Sequence, residues 1–419
     1  MDIWIITVGE PLPMDDGDIR TYRSGLLFDE LICAGHDVTW WTSSFDHSLK
    51  KHRTYGDKIY YSNNSKILLL EGSSYKKNIS LSRIFNHRSL AKQFKSRIFN
   101  YNVPDVIICS FPVIELCSAA VQYANKNNIP IIIDVRDLWP DIFLDFVPRW
   151  SKYFVKPMLY KMLKDTEYIF KNSTNIFAVS DGYLNWALKK ADRNPRFYDR
   201  VFPLGYPDKN KFKNKAKEVT KYLKSLGVDQ SKKILLFIGS FGKTYDLSTV
   251  IEVARHYDNK NNNLQFVFCG DGDNYDQWTM QAKGVSNIIF TGWLDSNGIN
   301  HLLNISTIGL AAYVKGAPQG LPNKLFEYMS TGLPILSSLE GETKELLKIE
   351  NIGVNYESAN INDLIKKIEL LLDENTLKVL SINSLELFYK KFSAKTIYAK
   401  FRNQIEGLAS TFDSKENKH

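Results

Sequence analysis

Gly316-Ala317-Pro318-Gln319-Gly320-Leu321-Pro322-Asn323-Lys324-Leu325-Phe326-Glu327-Tyr328-Met329-Ser330-Thr331-Gly332-Leu333-Pro334 is the most informative stretch of the sequence. The apolar run before it, Thr307–Ala312, reads as a strand, and so does Pro334–Ser337 after it. Between them a Gly/Pro loop gives way to a helix whose start falls near Pro322 or Asn323, since proline suits a first helical turn and asparagine a cap. A helix start turns free backbone N–H groups and the positive end of the helix dipole toward the loop, which makes an anion site. Lys324 adds a full positive charge there, and Glu327, one turn on, can accept two hydrogen bonds from a ribose diol. A capped connection with a surface glutamate fits the same residues.

Working outward, strands and helices alternate along the whole chain. Ile3–Val8, Asp37–Thr42, Ile67–Leu70, Val106–Ser110, Pro130–Val135 and Phe177–Ser180 read as strands, with helices over Arg20–Ala34 and Pro112–Asn127. After Pro203-Leu204-Gly205-Tyr206-Pro207 a Lys/Asn-rich stretch runs to about Lys233, and the alternation then restarts. Strands at Ile234–Ile238, Phe266–Cys269 and Asn287–Thr291 alternate with helices at Leu247–His256 and Ile299–Asn304. Helices at Lys324–Ser330 and Ile361–Leu372 follow, and Asn375–Leu408 is helical with a break near Phe392-Ser393. Fully apolar strands between helices predict parallel sheets covered on both faces. The expected architecture is α/β: two doubly wound, Rossmann-like domains facing a central cleft. They span residues 1–204 and 205–392, with a C-terminal helix over 393–412 packing back on the first domain.

With 419 residues, the ordinary ~150 residues per domain predict two or three domains. Hydrophobic residues at 44% and charged residues at 24% exclude wholesale disorder, collagen and coiled coil. A net charge of +8 suits anionic partners such as nucleotides, phosphorylated lipids or an acidic membrane face; a Lys-rich surface accounts for it equally. The four cysteines form no C-x-x-C pair, and the seven histidines show no ligand spacing, so no metal site is expected. The Asp-Gly-Asp triplets at 16–18 and 271–273 read as ordinary turns. Phe237 stands where a P-loop ending in Gly242-Lys243-Thr244 needs glycine. No apolar run reaches the ~18 residues of a spanning helix, and the start lacks a signal-peptide pattern, so a cytoplasmic protein is expected. Residues 143–168 mix aromatic and basic side chains, which fits either a helix lying on an anionic membrane face or one packing on the sheet. No recognition motif supports nucleic-acid binding.

The 316–334 stretch resembles the nucleotide-sugar site of the retaining GT-B glycosyltransferases of family four, which carry E-x7-E across this loop and helix. Glu327 matches the second glutamate, and Gln319 stands where the first is expected. The likeness extends over nearly the whole chain. Gly9-Glu10-Pro11-Leu12-Pro13 with Asp16-Gly17 and Arg20 lies where the family has its first Gly-rich loop. Gly35-His36-Asp37-Val38, Ala178-Val179-Ser180, Phe202-Pro203-Leu204-Gly205 and Ile238-Gly239-Ser240-Phe241-Gly242-Lys243 follow the family's order. Phe268-Cys269-Gly270-Asp271-Gly272 and Phe290-Thr291-Gly292-Trp293 do the same. Asp134-Val135-Arg136-Asp137-Leu138-Trp139-Pro140-Asp141 resembles the R-D-L-W-P signature of the branch that builds bacterial surface polysaccharides.

The resemblance implies transfer of a sugar from a nucleotide-diphosphate donor, a UDP-sugar, to a lipid-linked oligosaccharide for capsule or O-antigen. It implies retention and no metal or cofactor; the nucleotide-sugar is a substrate. The first domain is then the acceptor side and the second the donor side, at the membrane's cytoplasmic face. Gln319, Asp137 and Lys324 become the catalytic candidates. Gly17, Ser240, Lys243, Trp293, Gly320, Leu321, Asn323 and Glu327 become donor-binding candidates. Each has a bland alternative. Gly17 fits a plain turn, Lys243 a solvated lysine and Trp293 core packing. Asp137 fits a salt bridge with Arg136 or a helix cap. A nucleotide-sugar 2-epimerase on the same architecture, or a non-catalytic nucleotide- or membrane-binding subunit, is the alternative function, the latter kept open by Gln319.

Overall fold

Two mostly parallel sheets gather the apolar runs of the sequence. The structure, a computed structural model, describes residues 1–15, 21–47, 49–76, 80–145, 152–207, 216–260 and 263–416. The chain divides into two units, Met1–Pro203 with Tyr398–His419, and Leu204–Ile397.

The strands of unit 1 are β1 (Asp2–Ile6), β2 (Asp37–Ser43), β3 (Phe45–Asp46), β4 (Lys51–His52), β5 (Lys58–Ser62), β6 (Ser65–Leu70), β7 (Val106–Phe111), β8 (Ile131–Val135), β9 (Asn175–Ala178) and β10 (Arg200–Val201). Eight form one sheet in the order β10-β9-β8-β7-β1-β2-β6-β5, and only β5 runs antiparallel to its neighbour. The helices are α1 (Arg23–Cys33), α2 (Leu81–Arg97), α3 (Ile114–Lys126), α4 (Ile142–Asp145), α5 (Lys152–Asn172) and α6 (Asp181–Ala191). Because strand side chains alternate faces, Trp4 of β1 meets Trp41, Phe94 and Tyr123 on one side of the sheet, stacking on Tyr123 at 5.6 Å. On β2, Trp40 meets Phe28 of α1. The β5 edge and α2 are too polar to stand out in the sequence, and neither is among the expected elements.

Unit 2 contains α7 (Ala216–Ser225), β11 (Lys233–Ile238), α8 (Leu247–Asn259), β12 (Leu264–Cys269), α9 (Tyr275–Gln281), β13 (Ile288–Gly292), α10 (Ser296–Ile305), β14 (Ile308–Ala311), α11 (Asn323–Ser330), β15 (Ile335–Ser337), α12 (Glu342–Glu350), β16 (Gly353–Asn355), α13 (Ile361–Leu372) and α14 (Glu374–Leu387). Its six strands are all parallel, in the order β13-β12-β11-β14-β15-β16. The break expected near Phe392-Ser393 is a π turn, Phe388–Phe392, followed by extended Ser393, whose hydroxyl caps the amide of Thr396. The last helix, α15 (Ala394–Glu416), starts there, and the division between the units falls at its first turn. In unit 1 its Phe401 packs on Phe177 and Phe202, and its Glu406 meets His36 at 2.9 Å.

The carboxyl end of β8 anchors the buried polar centre of unit 1. Asp134, fully buried, takes a bidentate pair from Arg23 of α1 (2.8 and 2.7 Å) and a third hydrogen bond from Arg136 Nε at 2.7 Å. Arg23 also donates to the carbonyls of Phe202 and Pro203, and its guanidinium lies over the Phe401 ring. Arg136 turns its other nitrogens to Glu10 and to the Ser24 hydroxyl, so the alternative of a bridge between Arg136 and Asp137 is not formed. Ser24 continues to Thr7, and Thr7 to Ser110, across the carboxyl ends of β1 and β7. Burial alone would raise the Asp134 carboxyl, but the two guanidiniums hold it well below the usual carboxylate range. Its stabilisation is therefore complete at neutral pH and is lost only as pH falls through that depressed value. Asp134→Asn, which leaves two buried arginines short of a counter-charge, is expected to cost about 3–5 kcal/mol at pH 7, measured by urea unfolding.

Candidate functional site

In an open parallel sheet, ligands bind beyond the carboxyl ends of the strands where the strand order reverses. In unit 2 that reversal lies between β11 and β14. The loops leaving these two strands, 239–246 and 312–322, carry five of the eleven residues picked from the sequence, and α11 carries three more. Ser240 and Lys243 are exposed on the first; Gln319, Gly320 and Leu321 are half-buried on the second, and Asn323, exposed, opens α11.

Glycines let the loop after β12 close on the loop after β11. Gly239, Gly270 and Gly272 have φ of +152°, +148° and +152°, a region side chains rarely enter. A Cβ on Gly270 would strike the Gly239 carbonyl, and one on Gly272 would lie 2.8 Å from the Phe241 nitrogen. The loop after β12 is thus laid backbone to backbone on the loop after β11, locked by Phe241 N–H to Asp271 O (2.8 Å) and Asn274 N–H to Phe241 O (3.0 Å).

At the start of α11 the expected roles are exchanged: Pro322 is the cap residue, with φ −73° and ψ 152°, and Asn323 the first helical residue. Proline's fixed φ suits this extended cap, where its missing N–H costs nothing. The rest of the helix, Lys324–Ser330, is buried. Lys324 therefore does not present an open charge to the loop. Its ammonium sits 3.8 Å from the ring centroid of Phe237, 3.9 Å from Tyr245 and 5.1 Å from Tyr313. Its ammonium makes no hydrogen bond among the described residues, and the residue is 5% exposed. The ring faces attract the cation, but burial pushes the group well below the usual lysine range, and the Glu327 charge restores only part of that. Gly239 lacks a side chain where Lys324 arrives, since a Cβ there would stand 3.2 Å from Nζ. Burial also pushes the Tyr245 and Tyr313 phenols up, so both stay neutral. Glu327 is buried one turn along.

The sequence reading missed α12. Gly341, with φ +68°, turns the chain so that Glu342 and Thr343 open this helix against the 316–322 loop, and the Thr343 hydroxyl donates to the Gly320 carbonyl. The signal was a glycine followed by a first-turn acid. The aromatic cage had no linear signal, because its rings come from three separate segments.

The remaining candidates lie elsewhere. Gly17 falls outside the described residues. Trp293 follows β13, two strands from β11, and is 73% exposed, so it is not a core residue. Asp137 belongs to unit 1, where Oδ1 accepts from the Leu138 amide at 2.7 Å. Burial raises its carboxyl, and that hydrogen bond and the Arg83 charge oppose the rise. Among the described residues no group of three or more His, Cys, Asp or Glu is placed to hold a metal.

Residues 218–384, less than half the chain but most of unit 2, match the family model described as glycosyl transferases group 1. The 2-deoxystreptamine N-acetyl-D-glucosaminyltransferase of Niallia circulans is 21% identical over 176 residues, 41% of this chain and 44% of that protein, so the match spans under half of the relative's length. Over the whole chain, the structure is similar to sucrose-phosphate synthase from Thermosynechococcus elongatus, with a TM-score of 0.74 at 16% identity over 98% of this chain and 99% of that one. It is also similar to Anabaena HepE solved with UDP and glucose, with a TM-score of 0.65 at 13% identity over 97% and 100%. The fold is the GT-B architecture of glycosyltransferases, with two Rossmann-like domains.

Lys324 supplies a test of the site's electrostatics. Between its lowered folded value and about 10.4 in the unfolded chain, the unfolded state binds the proton more tightly, so stability rises with pH and falls as pH drops through that window. Lys324→Met keeps the length and removes the titration. Its urea-unfolding free energy at pH 7 is expected to equal or exceed that of the wild type, and its gain from pH 7 to pH 9 to be the smaller of the two.

Proposed function

We propose that the protein is a retaining, metal-independent glycosyltransferase that transfers a sugar from a UDP-sugar to a lipid-linked oligosaccharide in bacterial surface-polysaccharide synthesis. One observation carries the donor half of this reading. Beside the β11/β14 reversal, the glycine-shaped loops after β11 and β12, the amide end of α11 and buried Glu327 lie inside the segment that matches the glycosyltransferase model. Loop and helix amides suit a diphosphate, Lys243 adds an exposed charge, and a carboxylate suits a ribose diol. In the reaction, the bond from the anomeric carbon to the diphosphate oxygen breaks and one to the acceptor hydroxyl oxygen forms. The hydroxyl proton passes to the departing diphosphate. The amides and Lys243 stabilise the charge that develops there. The likeness to HepE, a protein solved with UDP, supports uridine as the base.

The acceptor half is supported by unit 1. The first turns of α5 expose Tyr153, Met158 and Tyr160 among Lys156 and Lys161, whereas its later Ile169 and Phe170 are buried in the core. Basic and aromatic side chains together suit an anionic interface that holds a polyprenyl-linked glycan. Among the described residues no helix is long and apolar enough to cross a membrane, so attachment would be peripheral.

Thermal unfolding with UDP, GDP, ADP and CMP, each with and without EDTA, tests the donor site. UDP at 100 times its dissociation constant adds about 2.7 kcal/mol. We expect a UDP-selective, EDTA-insensitive rise in Tm that Glu327→Ala removes; no rise with any nucleotide would sink the assignment. Co-sedimentation with phosphatidylglycerol vesicles tests the second half. Binding is expected to fall at least fivefold when Tyr153, Met158 and Tyr160 are all changed to Ser, and equal sedimentation of the two proteins would refute the membrane reading.

A further inference from the structure

Resting on the donor-site reading above, we infer that Glu342 is the carboxylate of the sugar subsite, serving the loop on which Gln319 provides only a neutral amide. The two residues are 23 positions apart, and the fold brings them to the same place. The Glu342 side chain lies against the Cα of Gly320: a Cβ built on that glycine would overlap Oε2 and stand 3.2 Å from the carboxyl carbon. Gly320 is thus the gap in the loop through which an acidic side chain from α12 reaches it. Thr343, fully buried beside it, fastens the same glycine by its carbonyl. The first turn of α12 is a favourable place for negative charge. On the loop itself, Gln319 Oε1 is buried and accepts no hydrogen bond among the described residues. A sugar hydroxyl reaching this loop therefore meets one unused amide oxygen and one carboxylate. Hydrogen bonds to the charged acceptor are roughly twice as strong as those to a neutral one. Glu327, already assigned to the ribose, and Glu342 then divide the nucleoside and sugar ends of the donor.

The test measures UDP affinity by calorimetry, together with UDP release from UDP-glucose, UDP-galactose, UDP-GlcNAc and UDP-GalNAc with water as acceptor. Glu342→Gln is expected to keep UDP affinity within about twofold and to lower release from the preferred UDP-sugar at least tenfold. Gly320→Ala, whose methyl displaces the carboxylate, is expected to lower release at least tenfold as well. Adding Gln319→Glu to Glu342→Gln is expected to restore at least a third of the lost rate. Release by Glu342→Gln equal to wild type overturns the proposal alone, as does an equal loss of UDP affinity, which would mark a structural role. Wild type that binds UDP but releases it from none of the four sugars has no sugar subsite for Glu342 and overturns it too. Wild type that fails to bind UDP overturns the donor-site reading, and the proposal with it.

Discussion

All strands of the second sheet run parallel, and that single constraint arranges everything else in unit 2. Parallel strands need crossover helices, and crossovers bring every strand's carboxyl end to the same edge. Where β11 and β14 lie side by side, their loops leave in opposite directions and a gap opens between them. Beside that gap the chain packs backbone on backbone, the loop after β12 lying on the loop after β11. Gly239, Gly270 and Gly272 allow contacts that no Cβ would permit. The result is a surface of amide groups, the kind of surface that suits an anion with no rotamer to order.

Beneath this surface, Lys324 is the expensive element. A buried ammonium with no hydrogen-bond acceptor is destabilising, and three ring faces offset only part of the cost. Such a group persists when its surroundings over-determine it, and strained or costly positions cluster at functional sites. The cage joins β11, the loop after it and the loop after β14, which are the parts that must hold still for the amides to stay aligned. Lys324 packs between the loops, whereas Lys243 is exposed on the first of them.

Much of this was legible in the sequence. Ile234–Ile238, Phe266–Cys269 and Ile361–Leu372 lie within a residue or two of their observed elements or match them outright, because long apolar runs between turn signals leave little freedom. The β5 edge, α2 and α12 were not legible, since edge strands and surface helices are stabilised by tertiary packing that linear periodicity does not encode. The site divides the same way. Glu327, Gln319 and Gly320 stand out as a linear motif, whereas the cage of Phe237, Tyr245 and Tyr313 and the approach of Glu342 exist only in three dimensions. A charged residue inside the apolar run 130–135, Asp134, is itself the sign of a buried pair.

The neutral residue at 319 illustrates how such sites tolerate change. A motif read along the chain makes Gln319 a loss of charge, and so a reason to doubt catalysis. In space, what matters is whether a carboxylate reaches the loop, and the first turn of α12 delivers one through the opening at Gly320. Charge at a site is a property of a volume, supplied by whichever backbone passes near it. The glycine leaves room for that charge, because a side chain at 320 would shut Glu342 out.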